Sequence, residues 1–217
     1  MKMILSSFFV FVVMNLYSQV KYRDFLFNLD SLIKPKVFSF VNNKDNSKVY
    51  LLHKAVKTEK GYYLILKRYT DTFDIDSTIQ FIDNEMRGSI HKENFWFYYI
   101  DDTRHSCTSK ELNVSRIDYN TPNNHYSKEI LNSCDNSIPQ IYTDKAIYKG
   151  LKTIEILGKK TECIRYKVKT VSIDRFGKTS KRKGYTYLGK NIGIVMFTNN
   201  GFFDHSTWKL TEIINYK

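Results

Sequence analysis

The residues best suited to chemistry crowd into one stretch, "IDDTRHSC", which contains Asp101, Asp102, His105 and Cys107. The two carboxylates and the imidazole, with a fourth ligand from elsewhere, would suit a divalent metal. His105 would alternatively serve as the base for a Cys107 nucleophile. The simplest interpretation is that a strand ends at Asp101, the acids begin a turn, and Cys107 forms a disulfide. We therefore predict neither a catalytic nor a metal-ligating residue here.

The rest of the sequence lacks the patterns that mark common enzymes. No serine lies in a Gly-x-Ser-x-Gly elbow, and no Cys-x-x-Cys pair suggests structural zinc. Triad partners and paired carboxylates meet in space and not in sequence, so a hydrolase stays an alternative. We expect a protein that has no cofactor and is not an enzyme.

The cysteine count allows one disulfide and leaves one thiol over. Cys107, Cys134 and Cys163 are the three cysteines. Cys163 alternates with basic residues in a predicted strand, whereas the other two lie in loop-like surroundings. An exported protein meets oxidising conditions, so we predict a Cys107–Cys134 disulfide.

A basic cluster and a set of aromatic residues are the candidate binding sites. The cluster "GKTSKRKG" lies at a predicted hairpin tip and would contact anionic lipid headgroups or polysaccharide. The alternative is a solvated turn that discourages edge-to-edge aggregation. Aromatic side chains would line an apolar ligand cavity, or else fill the core. The basic candidates are Lys178, Lys181, Arg182 and Lys183, and the aromatic candidates are Trp96, Tyr98, Tyr62, Tyr185 and Tyr187.

The charge of the chain invites an anionic partner but does not require one. The formal net charge is +12 at pH 7, which suits nucleic acid or an anionic membrane. The chain has only two alanines and abundant Lys, Asn, Ile, Tyr and Phe. AT-rich codons would produce the same bias. Because we expect export, we do not expect a nucleic-acid partner.

The first residues are typical of a secretory signal peptide. Lys2 precedes an apolar run, Ile4 to Met14, and a small residue, Ser18, follows. The run is too short for a membrane span, which needs about 20 apolar residues. We predict a signal peptide over residues 1–18, a single β-rich domain over 19–217, and no membrane span after cleavage. The mature protein would be periplasmic, associated with the cell envelope, or secreted.

Residue patterns predict a few helices in the N-terminal half. Apolar residues at helical spacing predict a helix over 21–33, ended by Pro35. A capping-box pattern at Ser77 and apolar residues up to Met86 predict a second helix. The polar segment 101–139 reads as a long irregular loop, with a short helix at 127–133.

Strand patterns dominate elsewhere. The runs 48–57 and 61–70 predict a hairpin, and "NFWFYYI" at 94–100 predicts a buried strand. Strict alternation over 161–170 places Ile164, Tyr166 and Val168 on one face. It places Cys163, Arg165, Lys167 and Lys169 on the other. Further strands are expected at 185–190, 192–198 and 206–215. The fold class is α+β, mainly antiparallel β.

The C-terminal third resembles a group of exported proteins. "KKTECIRYKVKT", then "GYTYLGKNIGIVMF", then "TWKLTEI" are similar to the end of small exported bacterial proteins of unknown function. The resemblance covers about residues 150–215. It implies an architecture similar to the lipoprotein-carrier group: a curved open sheet or half-barrel, plugged by an N-terminal helix and one or two inserted helices. Its motifs are structural, and no functional residue transfers.

These observations predict an exported, non-catalytic binding protein. The curved sheet would hold a lipid or other apolar ligand, or an envelope protein, against Trp96, Tyr98 and the facing tyrosines. The first alternative is a surface or adhesive protein that binds anionic lipid or polysaccharide through the basic hairpin tip. The second is a metal-dependent hydrolase.

Overall fold

The computed structural model describes residues 21–72, 74–98, 104–114, 117–118, 127–134, 140–173, 177–198 and 206–216. For residues 90–142, and for Asp144 and Ser172, the description covers strand placement and pairing only. The predicted signal peptide at 1–18 lies outside the described residues.

The described chain forms two short 3-10 helices followed by thirteen strands. The 3-10 helices span Tyr22–Phe25 and Leu29–Leu32. The strands are β1 Lys36–Asn42, β2 Lys48–Thr58, β3 Gly61–Tyr69, β4 Asp74–Asp83, β5 Arg87–Tyr98, β6 Arg104–Val114, β7 Ile117–Asp118, β8 Ser127–Cys134, β9 Gln140–Ile156, β10 Lys159–Ile173, β11 Thr179–Gly189, β12 Gly193–Thr198 and β13 Thr207–Asn215.

All the strands belong to one curved sheet. Its order is β4-β3-β2-β1-β13-β12-β11-β10-β9-β8-β6-β5-β7, and β4 also pairs with β5. β5 pairs with β6 through residues 93–98 and with β7 through 87–88. Among the described residues, 89–92 of β5 pair only with β4, so the sheet is open along that part of β5. The predicted fold class, a mainly antiparallel protein with a curved open sheet, is confirmed.

One face of the sheet carries the main core, and we call it the inner face. On β2, Val49, Leu51, His53 and Ala55 are buried at every second position, as expected for a strand with one buried face. Phe38 and Phe40 of β1 stand opposite Leu51 and Val49. The main cluster continues across the inner face to Trp208 and Leu210 of β13, Phe197 of β12 and Tyr187 of β11. Burying each of these large side chains contributes about 1.5–3 kcal/mol.

The continuous helix predicted over 21–33 is wrong, because this segment forms two separate 3-10 turns. Phe25 packs on the outer face with Ile164 and Tyr166, whereas Leu29 and Leu32 join the inner core. A straight helix would present these apolar residues on one stripe. Because this segment contributes apolar side chains to both faces of the sheet, its helical structure is interrupted between the two groups.

The helix predicted at about 75–87 is also wrong, since these residues form β4 and the turn into β5. Ile75 and Ile82 are both buried although their positions in the chain differ by an odd number, which would place them on opposite faces of a regular strand. The register between β3 and β4 shifts at this point, with Arg68 opposite Asp76 and Tyr69 opposite Asp74. This bulge breaks the period of two and leaves a spacing that imitates a helix.

The long loop predicted for 101–139 is wrong in its described parts. These contain β6, β7 and β8, and the helix predicted at 127–133 is strand β8. A polar strand can pair its backbone groups with two neighbours without an apolar pattern. β8 does so, because it lies between β6 and β9.

The N-terminal segment crosses from the outer face to the inner face over the turn between β11 and β12. Asn191 in this turn donates its backbone N–H to the carbonyl of Asp24, at 2.9 Å. Phe27 lies directly over Gly193, which has φ +83°. A Cβ atom at Gly193 would overlap the Phe27 ring. Only glycine satisfies both the positive φ and the close contact.

We expect Gly193→Ala to destabilise the protein much more than Gly158→Ala. Gly158 also has a positive φ, +72°, but a Cβ there would meet no atom within 4 Å. Its substitution should cost only the left-handed strain, about 1–2 kcal/mol. Gly193→Ala adds the overlap with Phe27, for a total of about 2–5 kcal/mol. Denaturant unfolding of both variants checks this, and equal losses would show that the crossing is not tightly packed.

His53 is buried beneath this crossing and has aromatic neighbours. Its ring centroid lies 4.2 Å from that of Phe27 and 4.8 Å from that of Phe38. Among the described residues Nδ1 has no hydrogen-bond partner. Burial lowers the pKa of His53 from 6.5 to about 3, because the apolar surroundings disfavour the charged form.

We expect acid to destabilise the protein through His53. The unfolded chain takes up a proton near pH 6.5, whereas the folded chain does so only near pH 3. This contribution to stability is therefore complete above pH 6.5 and is lost progressively as the pH falls toward 3. The slope of the free energy of unfolding against pH that results from His53 approaches about 1.4 kcal/mol per pH unit. Urea unfolding between pH 7 and pH 4 should show that extra slope in the wild type but not in His53→Leu.

Candidate functional site

Three lysines stand side by side in register across β9, β10 and β11. Lys145 is opposite Lys169, and Lys169 is opposite Lys183. All three are exposed. Paired strands are about 4.8 Å apart, and like charges placed directly opposite each other are unfavourable. The row therefore concentrates positive charge on three adjacent strands.

Two further lysines extend the row along the strands on the same face. Lys167 is opposite Tyr185, and Lys181 is opposite Val171. We name Lys145, Lys167, Lys169, Lys181 and Lys183 the basic face. It belongs to the inner face, because these positions share the period of Cys163, Tyr187 and the main core.

Two tyrosines lie where the basic face adjoins the core, and each has a positively charged side chain over its ring. The Arg165 guanidinium carbon lies 5.4 Å from the centre of the Tyr185 ring, and Lys152 Nζ lies 5.9 Å from that of Tyr187. Tyr187 is buried in the main cluster, and Tyr185 is half-buried against it. Cation–π contacts of this kind fix the position of a positive charge over an aromatic ring.

The structure divides the basic residues that the sequence analysis grouped at the hairpin tip. Lys181 and Lys183 share a face with Tyr185 and Tyr187, because all four occupy alternate positions of β11. Arg182 is opposite Thr170 and belongs to the other face. Lys178 is exposed and precedes β11.

Tyr62 packs against the same core cluster that contains Tyr187 and against which Tyr185 also packs. Its strand, β3, is separated from β11 in the sheet order by β2, β1, β13 and β12. The Tyr62 hydroxyl donates to Asp30 Oδ1 at 2.7 Å, and Lys57 Nζ donates to the same oxygen at 3.2 Å. These two hydrogen bonds lower the pKa of the Asp30 carboxyl. Tyr62 thus fastens the second 3-10 helix to the sheet.

The remaining candidates fall on strands whose side chains are outside the described residues. Trp96 and Tyr98 belong to β5, and His105 belongs to β6. Asp101 and Asp102 lie outside the described residues altogether. In the described part of the chain, no group of three or more His, Cys, Asp or Glu residues could hold a metal ion.

The structure describes one cysteine as free and places the other two on paired strands. Cys163 is free and fully buried, and burial raises the pKa of its thiol to about 11. Cys107 of β6 is directly opposite Cys134 of β8. Opposed residues of antiparallel strands have Cα atoms about 4.5–5.5 Å apart, which is within the range of a disulfide.

We expect Cys107 and Cys134 to be disulfide-bonded in protein purified from an exporting host. Non-reducing peptide mapping should recover the two peptides linked, with the Cys163 peptide alkylated only after denaturation. The Cys163→Ala variant is the control, because it should leave the linkage intact. A Cys163 peptide linked to either partner would contradict the pairing.

The sequence analysis missed Lys145, Lys167, Lys169 and Arg165 as site residues. The alternation of Arg165, Lys167 and Lys169 did place them on one face. Their alignment with Lys183 depends on the β10–β11 register, and their alignment with Lys145 depends on the β9 register after a bulge near Gly150. The alternation along β10 could be seen in the sequence, but the pairing of β10 with β9 and β11 could not.

The fold and the site define a protein built on a single curved antiparallel sheet with a basic inner face. No known protein family and no curated protein matches the chain. Two crystal structures share the fold. A putative lipoprotein from Parabacteroides distasonis is 11% identical, with a TM-score of 0.57, and the match covers 88% of this chain and 98% of that one. A putative exported protein with a YmcC-like fold from Bacteroides fragilis is also 11% identical, with a TM-score of 0.52 and coverage of 83% and 95%.

This similarity shows the fold. The chain is similar in fold to a putative lipoprotein and to a putative exported protein with a YmcC-like fold, which agrees with the expected resemblance to exported bacterial proteins. The finer resemblance, to lipoprotein carriers, is not part of this similarity. Within the described residues, no helix has the length and hydrophobicity needed to cross a membrane.

Proposed function

We propose that this is an exported, non-catalytic binding protein that holds an anionic polysaccharide on its basic face. Two observations support export: the signal-peptide pattern of residues 1–18 and the lipoprotein and exported-protein names of the two proteins that share the fold. The cell envelope and its surroundings are rich in acidic polysaccharide, whereas nucleic acid is not the expected partner of an exported chain.

The in-register lysine row is the observation that carries the proposal. Adjacent lysines across three strands concentrate positive charge at one place on the sheet. A flexible polyanion that lies across Lys145, Lys169 and Lys183 would bind to this charge and release its counterions. Lys167 and Lys181 extend the surface in both directions along the strands.

A chain-like ligand suits this surface better than a bilayer does. The basic face belongs to the inner face of a curved sheet, which a flexible polymer can follow. A flat anionic membrane would instead touch the hairpin end, where Lys178 and Arg182 would contribute as much as Lys183. Membrane binding should therefore depend on Arg182. Polysaccharide binding should not, because Arg182 is on the opposite face.

The apolar-ligand hypothesis has less support among the described residues. Tyr187 is 6% exposed within the core, and the Tyr62 hydroxyl is bound to Asp30. These two side chains therefore already have structural roles. Tyr185 is half-buried beneath Arg165, so a ligand there would also meet a cation. A metal-dependent hydrolase has no described cluster of ligands to support it.

We expect the Lys169→Glu, Lys183→Glu double variant to lose polysaccharide binding while Arg182→Glu retains it. Calorimetric titration with polygalacturonate should show wild-type affinity that falls steeply with sodium chloride. The double variant should bind at least about tenfold more weakly, because two contacts become repulsive. Arg182→Glu, a single charge reversal on the opposite face, should change the affinity by less than about twofold.

Two outcomes would contradict the proposal. Equal losses in the double variant and in Arg182→Glu would indicate diffuse attraction to the net charge of the protein. Binding to vesicles of 30% phosphatidylglycerol that depends on Arg182, without binding to polygalacturonate, would instead favour membrane contact by the hairpin tip. Circular dichroism of each variant confirms that the sheet is intact.

A further inference from the structure

We infer that Arg165 forms an oxyanion subsite at the end of the basic face that adjoins the core, where it binds a carboxylate or sulfate group of the polysaccharide. The inference rests on the proposed function, since it assigns a chemical group of the same ligand to one residue. It differs from a general basic surface in that it requires the planar guanidinium group and not only a positive charge.

The Arg165 side chain is held in a fixed position without a carboxylate. The guanidinium carbon lies 5.4 Å from the centre of the Tyr185 ring. Nη2 donates to the backbone carbonyl of Lys149 at 3.4 Å, which is long for a hydrogen bond. Nε is buried and has no hydrogen-bond partner among the described residues.

An unpaired buried donor is unusual, because a buried N–H that loses water without gaining an acceptor destabilises the folded state. In Arg165 the orphaned Nε belongs to a charged group, which increases the cost. Because Nε itself is closed to solvent, a ligand oxygen would meet the half-buried guanidinium group at its Nη atoms and compensate the charge there.

Two other arginines of this chain show the contrast. Arg68 has an Nε that is likewise buried without an acceptor, yet its Nη2 contacts the Asp76 carboxylate. Arg87 pairs with both Asp83 and Glu85. Within the described residues, no carboxylate pairs with Arg165. The acid beside it in sequence, Glu162, is three positions away along β10 and thus on the other face.

The neighbours of Arg165 favour an anion over a neutral group. Lys167 follows two positions later on the same face, and Lys152 lies over the ring of Tyr187, which is opposite Arg165 in the register. Arginine presents parallel N–H groups that match the two oxygens of a carboxylate or sulfate. Tyr185 orients these N–H groups. Arg165 would therefore position one oxyanion of the ligand, while the lysine row attracts the polymer by its charge.

The test is the exchange Arg165→Lys, which keeps the charge and removes the fork. Titrations use polygalacturonate for carboxylate and dextran sulfate for sulfate, with neutral dextran as the negative control. We expect Arg165→Lys to bind at least one of the two polyanions about tenfold more weakly than the wild type. The slope of log affinity against log salt concentration should be unchanged. Arg182→Lys is the matched control on the opposite face and should bind both polymers as the wild type does. The polymer that responds identifies the oxyanion.

A second variant covers the case in which Arg165→Lys folds poorly. Tyr185→Leu keeps Arg165 but removes the ring beneath it, and should weaken the same polymer by about threefold because the guanidinium loses its orientation. Wild-type affinity in both variants for both polymers would overturn the inference. That result differs from a failure of the proposed function, in which the Lys169→Glu, Lys183→Glu variant would also bind like the wild type.

Discussion

The crossing of the N-terminal segment over the β11–β12 turn is the contact on which the remaining structure depends. β10 has buried side chains on both faces, with Cys163 in the inner core and Ile164 and Tyr166 in the outer cluster. A strand of this kind needs cover on both sides. The segment gives Phe25 to the outer face and Leu29 and Leu32 to the inner core, and it changes faces where Gly193 has no side chain. A Cβ atom at that turn would overlap the Phe27 ring of the crossing segment.

This crossing also explains which parts of the fold could be predicted from sequence. The hairpin β2–β3 and the last two strands, β12 and β13, follow patterns of period two that one buried face imposes, and their ends were predicted to within one residue. β11 begins at Thr179, six residues before the predicted start. The N-terminal helix was wrong because its apolar residues serve two surfaces. β4 was wrong because a bulge near Ile75 replaced the period of two with a spacing that suits a helix. Both errors come from tertiary constraints that local periodicity does not contain.

The candidate site shows the same limit in another form. Alternation along β10 was enough to put Arg165, Lys167 and Lys169 on one face. It was not enough to show that this face is the inner one, because Ile164 and Tyr166 looked like the core side. The residue that settles the question is Cys163, which is completely buried in the main cluster and shares its face with the basic residues. The register with β9 and β11 then adds lysines that are distant in sequence. A site formed by strand pairing becomes visible only when the pairing is known.

The lysine row has an energetic consequence that distinguishes a binding surface from a random excess of basic residues. A genome that favours lysine codons would scatter lysines over exposed positions, and nothing would align them across three strands. Lys169 has a lysine on each side, so a neutral β-branched residue at that position would remove two repulsive pairs and suit the strand better. Strand propensity and the cross-strand lysines thus both disfavour a lysine at position 169. Residues that reduce stability while they concentrate charge are typical of functional surfaces, and the buried, unpaired Nε of Arg165 on the same face is a second instance of the same trade.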